Sequence, residues 1–514
     1  MKALIGISTA LLILVGGLIW TYQKDQRPEG GAKSITVYCA AGLKKPVAAA
    51  AELYRKEYGV EVQLQYGGTG TLLSQIRVAQ RGDLFVAADE TAVEAAKKAG
   101  AVEEVLPLCH QYPVIAVRAG NPKNVQSFED LFRDDLKVAV ANPEAASVGK
   151  ATKATAGARW EELAGKVTVM KPTVTEMAAD LSLGSIDAAV LWNSTVPQFK
   201  GIEAIEVAQF ANRVDTVTVS VLSASQHPAS ALMFARFLTA PDKGAKIFRE
   251  KGFKAIEGDP WAEKPELILY SGGVNRPAVE KTLAEFAERE GVTVTTVFNG
   301  CGVLCATMQA MTDTSNPKFP DAYYACDLCF VPPVAEHFPE AVMLTETIIG
   351  ISTQKGNPKN IETLADLAQE GVKVGICNAD QSTLGYMTQG MLRSSALEKA
   401  VRKNVVVEVP TADFLINQMR VGALDAVIVY EVNYRLQAEH LEFFPIKHEG
   451  ARAVQPFSVR KDSERRQLAG RLLAFLQKHR ARFEETGFTW LGDQAPVKSS
   501  ELEIPPWLKQ PPEK

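Results

Sequence analysis

The chain has 514 residues, of which 46% are apolar and 23% are charged, and its net charge at pH 7 is −4. This is the composition of an ordinary globular protein, and the length predicts three or four compact lobes. Nucleic-acid binding requires a basic surface that this charge balance does not provide, so we expect no nucleic-acid partner.

The N-terminal segment differs in character from the rest of the chain. Lys2 precedes an apolar run from Ala3 to Trp20, which is just long enough to span a bilayer. No small-x-small cleavage site is evident after this run. We therefore expect residues 1–24 to be an uncleaved signal anchor in the inner membrane, with a cleaved signal peptide as the alternative. Residues 25–33 would form a short tether. In either case the body of the chain is expected to be exported to the periplasm.

Strands and helices alternate through the residues that follow. Ser34–Cys39 has the apolar pattern of a buried strand, and Pro46–Tyr58 has helical spacing closed by Gly59. The alternation continues through Val60–Gln65, Leu72–Gln80, Asp83–Ala87 and Thr91–Lys98. This order predicts a parallel sheet covered by helices, with ligands bound beyond the carboxyl ends of the strands.

A second lobe is predicted from Lys137 to Trp192. The strand Pro113–Val117 leads out to it through the turn Gly-Asn-Pro-Lys-Asn, and the chain comes back through Val217–Leu222. A chain that goes out and returns makes two lobes joined by two crossing segments. We therefore expect a hinge, with a ligand cleft between the lobes.

The whole pattern occurs twice. The sequence Gly-Asn-Pro-Lys-Asn at residues 120–124 recurs at residues 356–360, and Gly252-Phe253 recurs as Gly487-Phe488. The offset stays close to 235 residues at both places, which indicates a tandem duplication rather than a short-period repeat. The predicted domains are a first repeat at residues 34–262, a second repeat at residues 266–495 and a C-terminal tail at residues 496–514.

The motifs of the first repeat resemble those of a known family. Their order is Val-Tyr-x-Ala-Ala, Gly-Gly-Thr-Gly, Asp-Leu-Phe-Val-Ala-Ala-Asp-Glu, Gly-Asn-Pro and a closing Gly-Phe. This looks like the molybdate/tungstate-binding type of periplasmic solute-binding protein, a type II receptor of ABC importers. The resemblance covers Ser34 to about Gly258 and, more loosely, Glu266 to about Asp493. It implies an α/β fold of two tandem type II periplasmic-binding-protein units, each with two lobes, a hinge and an interlobe cleft. It also implies an oxyanion ligand and an ABC permease partner.

Turns that precede helices carry the predicted binding chemistry. Gly68-Thr69-Gly70 lies ahead of a helix, where free amides and the positive end of the helix dipole face an incoming anion. Thr69 adds a hydroxyl donor, although it is equally suited to being only an N-cap. The resemblance implies facing turns in both lobes, and Trp192 stands where the family carries a tyrosine. The predicted ligand-binding residues of the first repeat are Ala41, Gly42, Gly68, Thr69, Ala145, Ser147, Val174, Thr175 and Trp192.

The second repeat departs from the first at its predicted cleft. Its aligned binding residues are Gly273, Gly300, Cys301, Ser382, Thr383, Ala412 and Tyr430. Cys301 takes the place of Thr69, and a thiol is a weaker hydrogen-bond donor than a hydroxyl. Asp413 is in register with Thr175, and a carboxylate there would repel a bound dianion. Both changes predict that the second repeat has lost the ancestral anion or exchanged it for another ligand.

Five of the seven cysteines fall in the second repeat, near its predicted cleft: Cys301, Cys305, Cys326, Cys329 and Cys377. Three interpretations remain open. Disulfides across Cys301/Cys305 and Cys326/Cys329 suit an exported protein and are favoured. A thiophilic metal such as zinc would suit the spacings Cys-x3-Cys and Cys-x2-Cys of the same four cysteines. Buried free thiols are the third interpretation.

The sequence shows no catalytic motif. It lacks Gly-x-Ser-x-Gly, His-Glu-x-x-His and a P-loop, and Phe330-Val331-Pro332-Pro333 follows Cys326-x-x-Cys329 where a redox protein would begin a helix. We therefore expect a non-enzymatic receptor without a cofactor that captures a molybdate- or tungstate-like oxyanion for ABC-type import. The alternative is an exported metal-binding or metal-sensing protein that uses the cysteines of the second repeat.

Overall fold

The computed structural model describes residues 32–311 and 313–502. The chain divides into two compact units between Glu263 and Lys264, and each unit is described by itself. The predicted signal anchor at residues 1–24 lies outside the described residues, as does most of the predicted tether. In the described part of the chain, no helix combines the length and the apolar character needed to cross a membrane.

The first unit alternates strands and helices as expected. Its strands are β1 (Ser34–Ala40), β2 (Glu61–Gly67), β3 (Leu84–Ala87), β4 (Val102–Gln111), β5 (Pro113–Arg118), β6 (Val138–Ala141), β7 (Val169–Lys171), β8 (Ala188–Trp192), β9 (Ile202–Ile205), β10 (Asp215–Leu222) and β11 (Lys254–Ala255). Its α-helices are α1 (Lys44–Tyr58), α2 (Thr69–Ala79), α3 (Glu90–Lys98), α4 (Ser147–Ala156), α5 (Trp160–Lys166), α6 (Val174–Leu183), α7 (Pro228–Thr239) and α8 (Gly244–Glu250).

Two sheets form the two lobes of the first unit. The strand order is β11-β4-β10-β3-β1-β2 in one lobe and β7-β6-β8-β5-β9 in the other. Strands β1, β2 and β3 are parallel, and β10 returns antiparallel between β3 and β4. Each lobe has its own apolar core, centred on residues such as Val37 and Val219 in one and Val140 and Leu191 in the other.

The lobes are joined at two places. Tyr112 alone separates β4, in one sheet, from β5, in the other, and the chain returns to the first sheet where β10 begins at Asp215. Two crossings of this kind match the expected hinge. They also place the carboxyl end of β1 on one side of a cleft and that of β8 on the other. Helices that follow neighbouring strands border the same cleft.

The second unit repeats this order. Its strands are β12 (Glu266–Gly272), β13 (Thr293–Asn299), β14 (Ala322–Tyr324), β15 (Glu340–Gln354), β16 (Val374–Cys377), β17 (Val405–Val409), β18 (Ala426–Tyr430), β19 (Leu441–Pro445), β20 (Arg452–Val459), β21 (Thr489–Trp490) and β22 (Val497–Lys498). Its α-helices are α9 (Arg276–Glu290), α10 (Cys301–Ala310), α11 (Thr383–Ser394), α12 (Glu398–Arg402), α13 (Ala412–Arg420), α14 (Glu431–Arg435), α15 (Arg466–Lys478) and α16 (Arg480–Glu485).

The crossing of the second unit is one unbroken strand. The 15-residue strand β15 pairs with β20 along its first half and with β18 along its second half. The two lobes therefore share a single sheet, with the order β13-β12-β14-β20-β15-β18-β16-β17. The short strand β22, in the segment predicted to be a C-terminal tail, pairs with the start of β15.

Matching side-chain hydrogen bonds show that the repeat extends to structural detail. Ser225 Oγ donates to Asp83 Oδ1 at 2.7 Å in the first unit. Ser463 Oγ donates to Asp321 Oδ1 at 2.6 Å in the second. Each aspartate lies directly before the third strand of its unit, so the pair ties that strand to the loop after the returning strand.

The repeated motif Gly-Asn-Pro-Lys-Asn forms the same turn twice. Asn121 has a φ of 43° and Asn357 a φ of 40°, in the left-handed region that asparagine tolerates better than most residues. Asn121 Oδ1 accepts the backbone N–H of Val125 at 2.9 Å, and Asn357 Oδ1 accepts that of Ile361 at 2.9 Å. The asparagines of the motif thus hold a turn, and no residue of the motif lines either cavity.

Candidate functional site

Helix N-termini from both lobes converge on a cavity in the first unit. The first turn after β1, the start of α2, the start of α4 and the start of α6 all border it. The residues that line the cavity are Ala40, Ala41, Gly42, Leu43, Gly67, Gly68, Thr69, Ala88, Gln111, Ala146, Ser147, Val148, Thr173, Val174 and Trp192. Because the first amides of a helix have no intrahelical partner, these N-termini present backbone N–H donors and positive dipole ends to the cavity.

The cavity is small. Its volume, measured for the centre of a water molecule, is about 20 Å³. A sphere of that volume has a radius of about 1.7 Å, and adding the radius of water gives room for a group about 3 Å in radius. A central atom with one shell of oxygens has this size.

Three polar side chains cluster at one end of the cavity. Thr69 Oγ1 lies 3.4 Å from Ser147 Oγ, so the two hydroxyls meet from opposite lobes. Gln111 is buried at the end of β4, where its Nε2 donates to the carbonyl of Ala88 at 2.8 Å. Ser194 Oγ donates to Gln111 Oε1 at 3.0 Å, which fixes the orientation of the amide. The sequence analysis did not identify Gln111.

All of the described residues that line this cavity are uncharged. Any anion held here would be bound by hydrogen-bond donors and helix dipoles rather than by a lysine or an arginine. Such donors can be desolvated without leaving a buried unpaired charge, so ligand selection rests on geometry and on which atoms donate.

Seven of the nine residues predicted for the first cleft line this cavity: Ala41, Gly42, Gly68, Thr69, Ser147, Val174 and Trp192. Ala145 and Thr175 are not among the lining residues. The amides of Ala145 and Ala146 both donate to the carbonyl of Asn142, at 3.1 and 2.9 Å, because the loop before α4 forms a turn. Thr175 Oγ1 instead lies 3.2 Å from Thr173 Oγ1. The amide of Ala145, a predicted ligand-binding residue, is therefore already engaged within its own loop.

Glycines in the first cleft permit a close approach of the two lobes. A Cβ on Gly70 would lie 2.1 Å from the carbonyl oxygen of Glu144, and one on Gly68 would lie 2.3 Å from that of Ala145. Both contacts are across the cleft and both are shorter than any tolerated carbon–oxygen contact. These glycines are required by the meeting of the lobes, since the φ of Gly68, −69°, is accessible to any residue.

The second unit has a matching cavity of about 20 Å³. It is lined by Gly273, Val274, Gly300, Cys326, Ser382, Leu384, Pro410, Thr411, Ala412, Asp413, Tyr430 and Asn433. A Cβ on Gly300 would lie 2.1 Å from the carbonyl oxygen of Gln381, so these lobes also meet closely. Of the residues predicted for this cleft, Gly273, Gly300, Ser382, Ala412 and Tyr430 line the cavity. Cys301 and Thr383 are fully buried beside it and are not among the lining residues.

A carboxylate faces the second cavity. Asn433 Nδ2 donates to Asp413 Oδ1 at 3.1 Å. Burial raises the pKa of the Asp413 carboxyl, while the positive charge of Arg276 and the hydrogen bond from Asn433 act in the opposite direction. Burial also raises the pKa of the Tyr430 hydroxyl well above its usual value, so Tyr430 keeps its proton. The sequence analysis identified Asp413 and Tyr430 but not Asn433.

The predicted disulfides are not formed. All seven cysteines are free thiols, and all are buried. Cys301 Sγ lies 2.8 Å from Cys326 Sγ and accepts the backbone N–H of Cys326 at 3.0 Å. Burial opposes ionisation of Cys301, but hydrogen bonds from Cys326 and Tyr323 outweigh it and lower the pKa of the Cys301 thiol. Cys305 turns away instead, with its Sγ 3.2 Å from the carbonyl of Phe330.

The predicted four-cysteine metal site is not assembled either. Within residues 32–311 and 313–502, no group of three or more His, Cys, Asp or Glu side chains is arranged to hold a metal ion. Of the four cysteines on α10 and in the loop after β14, only Cys301 and Cys326 bring their sulfur atoms together.

Two-lobed α/β units, each with a small cavity between its lobes and donors from both sides, define the class of periplasmic-type solute receptors. The family model described as "Bacterial extracellular solute-binding protein" matches residues 35–254 and again residues 267–489. The chain therefore belongs to this family and carries its domain twice. The type II periplasmic-binding-protein resemblance and the tandem α/β fold predicted from the sequence are confirmed.

The chain is similar to several relatives over about one repeat. A putative binding protein of Haemophilus influenzae is 28% identical over 229 residues, which is 43% of this chain and 91% of the relative. The molybdate-binding protein ModA of Mycobacterium bovis is 28% identical over 262 residues, covering 48% of this chain and 98% of ModA. The substrate binding domain of a putative molybdenum ABC transporter from Clostridium difficile is 26% identical, with a TM-score of 0.34, and covers 44% of this chain and 99% of that one.

Proposed function

We propose that the chain is an extracytoplasmic receptor, not an enzyme, that captures a small tetrahedral oxyanion of the molybdate or tungstate type in its first cleft. The ligand would then pass to the permease of an ABC-type importer. The proposal includes a periplasmic location, with residues 1–24 holding the protein at the inner membrane.

The observation that carries this proposal is the lining of the first cavity. It combines a small volume, uncharged walls, two facing hydroxyls and several helix N-termini. A fully deprotonated oxyanion is an acceptor at every oxygen, so a set of donors is its natural complement. Thr69 and Ser147 would donate from opposite lobes, and Trp192 can supply only an indole N–H.

The relatives support the same ligand class. ModA carries molybdate binding in its name, and it aligns with about half of this chain. The description of the family as solute-binding proteins supports a role in collecting a solute for import.

Calorimetric titration of the purified full chain tests the proposal. We expect molybdate and tungstate to bind, and binding to require the first cleft. Sulfate would be added as a smaller oxyanion of the same charge and zinc as a test of the metal-binding alternative. If zinc binds tightly and no oxyanion does, the metal-binding alternative replaces this proposal.

A further inference from the structure

The second cavity differs from the first in the hydrogen-bonding character of its walls. The position of Thr175 is occupied by Asp413, and that of Trp192 by Tyr430. With the same offset of 238 residues, Thr195 corresponds to Asn433. Asp413, Tyr430 and Asn433 all line the second cavity. Of the three corresponding residues in the first unit, only Trp192 lines its cavity, so the second cavity gains a carboxylate and an amide that the first lacks at these positions.

Two of these side chains have polar atoms with no partner in the protein. The Tyr430 hydroxyl and the Asn433 Oδ1 make no hydrogen bond, although the residues are only 3% and 2% exposed. A buried polar atom without a partner costs free energy, so we expect each of these atoms to hydrogen-bond to a group bound inside the cavity.

The orientation of Asn433 fixes what that group must be. Its Nδ2 donates to Asp413, so its Oδ1 is left as an acceptor. Asp413 is also an acceptor when ionised. Two neighbouring acceptors therefore face a cavity that the starts of α10, α11 and α13 also border. The amides of Gly300 and Ser382 are engaged in their own loops, but the first amides of the helices that follow have no intrahelical partner and can donate. The ligand must accept hydrogen bonds on most sides and donate at least one on this side.

We propose that the second cleft binds a tetrahedral oxyanion that still carries a proton, the class of monohydrogen phosphate and arsenate, and rejects oxyanions that carry none. The proton of the ligand would be donated to the Asp413 carboxylate, and the remaining oxygens would accept from the amides and from Tyr430. A fully deprotonated sulfate or molybdate would place a lone pair against the carboxylate instead. This inference rests on the proposed function of the clefts as oxyanion sites.

A cation is a poorer complement to the same walls. The helix starts that border the cavity present positive dipole ends, and the guanidinium of Arg276 is close enough to Asp413 to act on its ionisation. Besides Asp413, two residues that line the cavity can ionise, Tyr430 and Cys326. The pKa of the Cys326 thiol is raised well above its usual value because it hydrogen-bonds to Cys301 and is buried. Asp413 is thus the acceptor that a ligand proton would meet.

The test compares inorganic phosphate, sulfate and molybdate by calorimetry on the full chain near neutral pH. We expect phosphate to bind in a site that Thr69→Ala leaves intact and that Asp413→Asn weakens by about tenfold or more. Because the new amide can donate, Asp413→Asn should also raise the affinity for sulfate or molybdate in this cleft. Asp380→Asn, which removes an exposed carboxylate at the neighbouring turn, is the matched control and should change neither.

The outcomes separate this inference from the proposed function. The inference is overturned if phosphate does not bind, if sulfate binds the second cleft as tightly as phosphate, or if Asp413→Asn leaves phosphate binding unchanged while thermal unfolding shows a folded protein. Loss of phosphate binding in Thr69→Ala instead would also overturn it, since phosphate would then occupy the first cleft. The proposed function fails separately, if molybdate and tungstate binding do not depend on Thr69.

Discussion

The backbone N–H of Gly70 donates a hydrogen bond of 2.9 Å to the carbonyl oxygen of Ala145, across the cleft of the first unit. Gly70 lies in the first turn of α2 in one lobe, and Ala145 precedes α4 in the other. The helix start that was expected to present its amides to the ligand therefore uses two of them, those of Gly70 and Thr71, to hold the lobes together. Closure of the first cleft and binding of its ligand therefore both use the N-terminus of α2.

Gly70→Ala should weaken ligand binding by preventing this closure. A Cβ at residue 70 would lie 2.1 Å from the carbonyl of Glu144 in the opposite lobe, while alanine within α2 itself is favourable. We expect the variant to fold with unchanged or higher thermal stability and to bind oxyanions at least about tenfold more weakly. Gly165→Ala is the control, because no atom lies within 4 Å of the added methyl group. Equal affinities for the two variants would contradict the role of closure.

Thr69→Ala should weaken oxyanion binding in the first cleft by roughly 10- to 150-fold, the effect of losing a hydrogen bond to a charged group, about 1.5–3 kcal/mol. The measurement is calorimetric titration with molybdate. Thr71→Ala removes an exposed hydroxyl two residues further along the same helix and serves as the control. Equal molybdate affinity in Thr69→Ala and the parent would leave Thr69 as a helix-capping residue only, and the proposed oxyanion site in the first cleft would fail.

Asp215→Asn should stabilise the protein at neutral pH. The side chain of Asp215 is only 16% exposed at the start of β10, and its Oδ2 has no hydrogen-bond partner. Burial raises the pKa of Asp215 to about 6, although Arg213 opposes the shift. The folded state thus holds the proton more tightly than the unfolded state does. Ionisation of Asp215 therefore costs stability as pH rises from about 4 to about 6, and the cost persists above that range.

We expect Asp215→Asn to gain about 1–2 kcal/mol in free energy of unfolding at pH 7, after allowance for partial solvent screening, and nothing near pH 3.5. Urea unfolding at both pH values measures this difference. Asp134→Asn, at a side chain that is 91% exposed, is the control and should show no pH-dependent gain. A gain of the same size at both pH values would mean that the substitution acts through something other than ionisation.

The thiols give a prediction that needs no ligand. All seven cysteines are free and buried, so alkylation in denaturant without reductant should add seven groups, as read by mass spectrometry. In the folded protein the reaction should be slow at every cysteine, because none of the thiols is exposed. A count of five in denaturant, restored to seven by reductant, would show a disulfide, and Cys301 with Cys326 is the pair whose sulfur atoms are near enough to form it.

The duplication, the two lobes of each unit and most of the predicted residues that line the two cavities could be read from the sequence. The sequence analysis failed at β4, because Pro107 and four charged or polar residues conceal a ten-residue strand. The register between β4 and β10 shifts at this point, so Pro107 occupies an irregularity in the pairing where a missing N–H is tolerated. Gln111, at the end of that strand, was missed with it.

Other errors of the sequence analysis concern polar groups that already have hydrogen-bond partners within the protein. An amide ahead of a helix is free only if no turn uses it, and the loop before α4 engages the amide of Ala145 with the carbonyl of Asn142. The cysteines show the same limit. Their spacing indicated a set of four, but Cys305 packs against Tyr323 and Phe330, and only the packing of α10 reveals this.

Crystals grown with tungstate give the most direct test of the central claim, because tungsten scatters X-rays anomalously and its position can be read without assumptions about the ligand. The account predicts one strong anomalous peak in the first cleft, placed so that the oxygens around tungsten lie within hydrogen-bonding distance of Thr69 Oγ1 and Ser147 Oγ, and a weaker peak or none beside Asp413. A dominant peak beside Asp413 with an empty first cleft would contradict it, as would peaks confined to surface lysines and arginines.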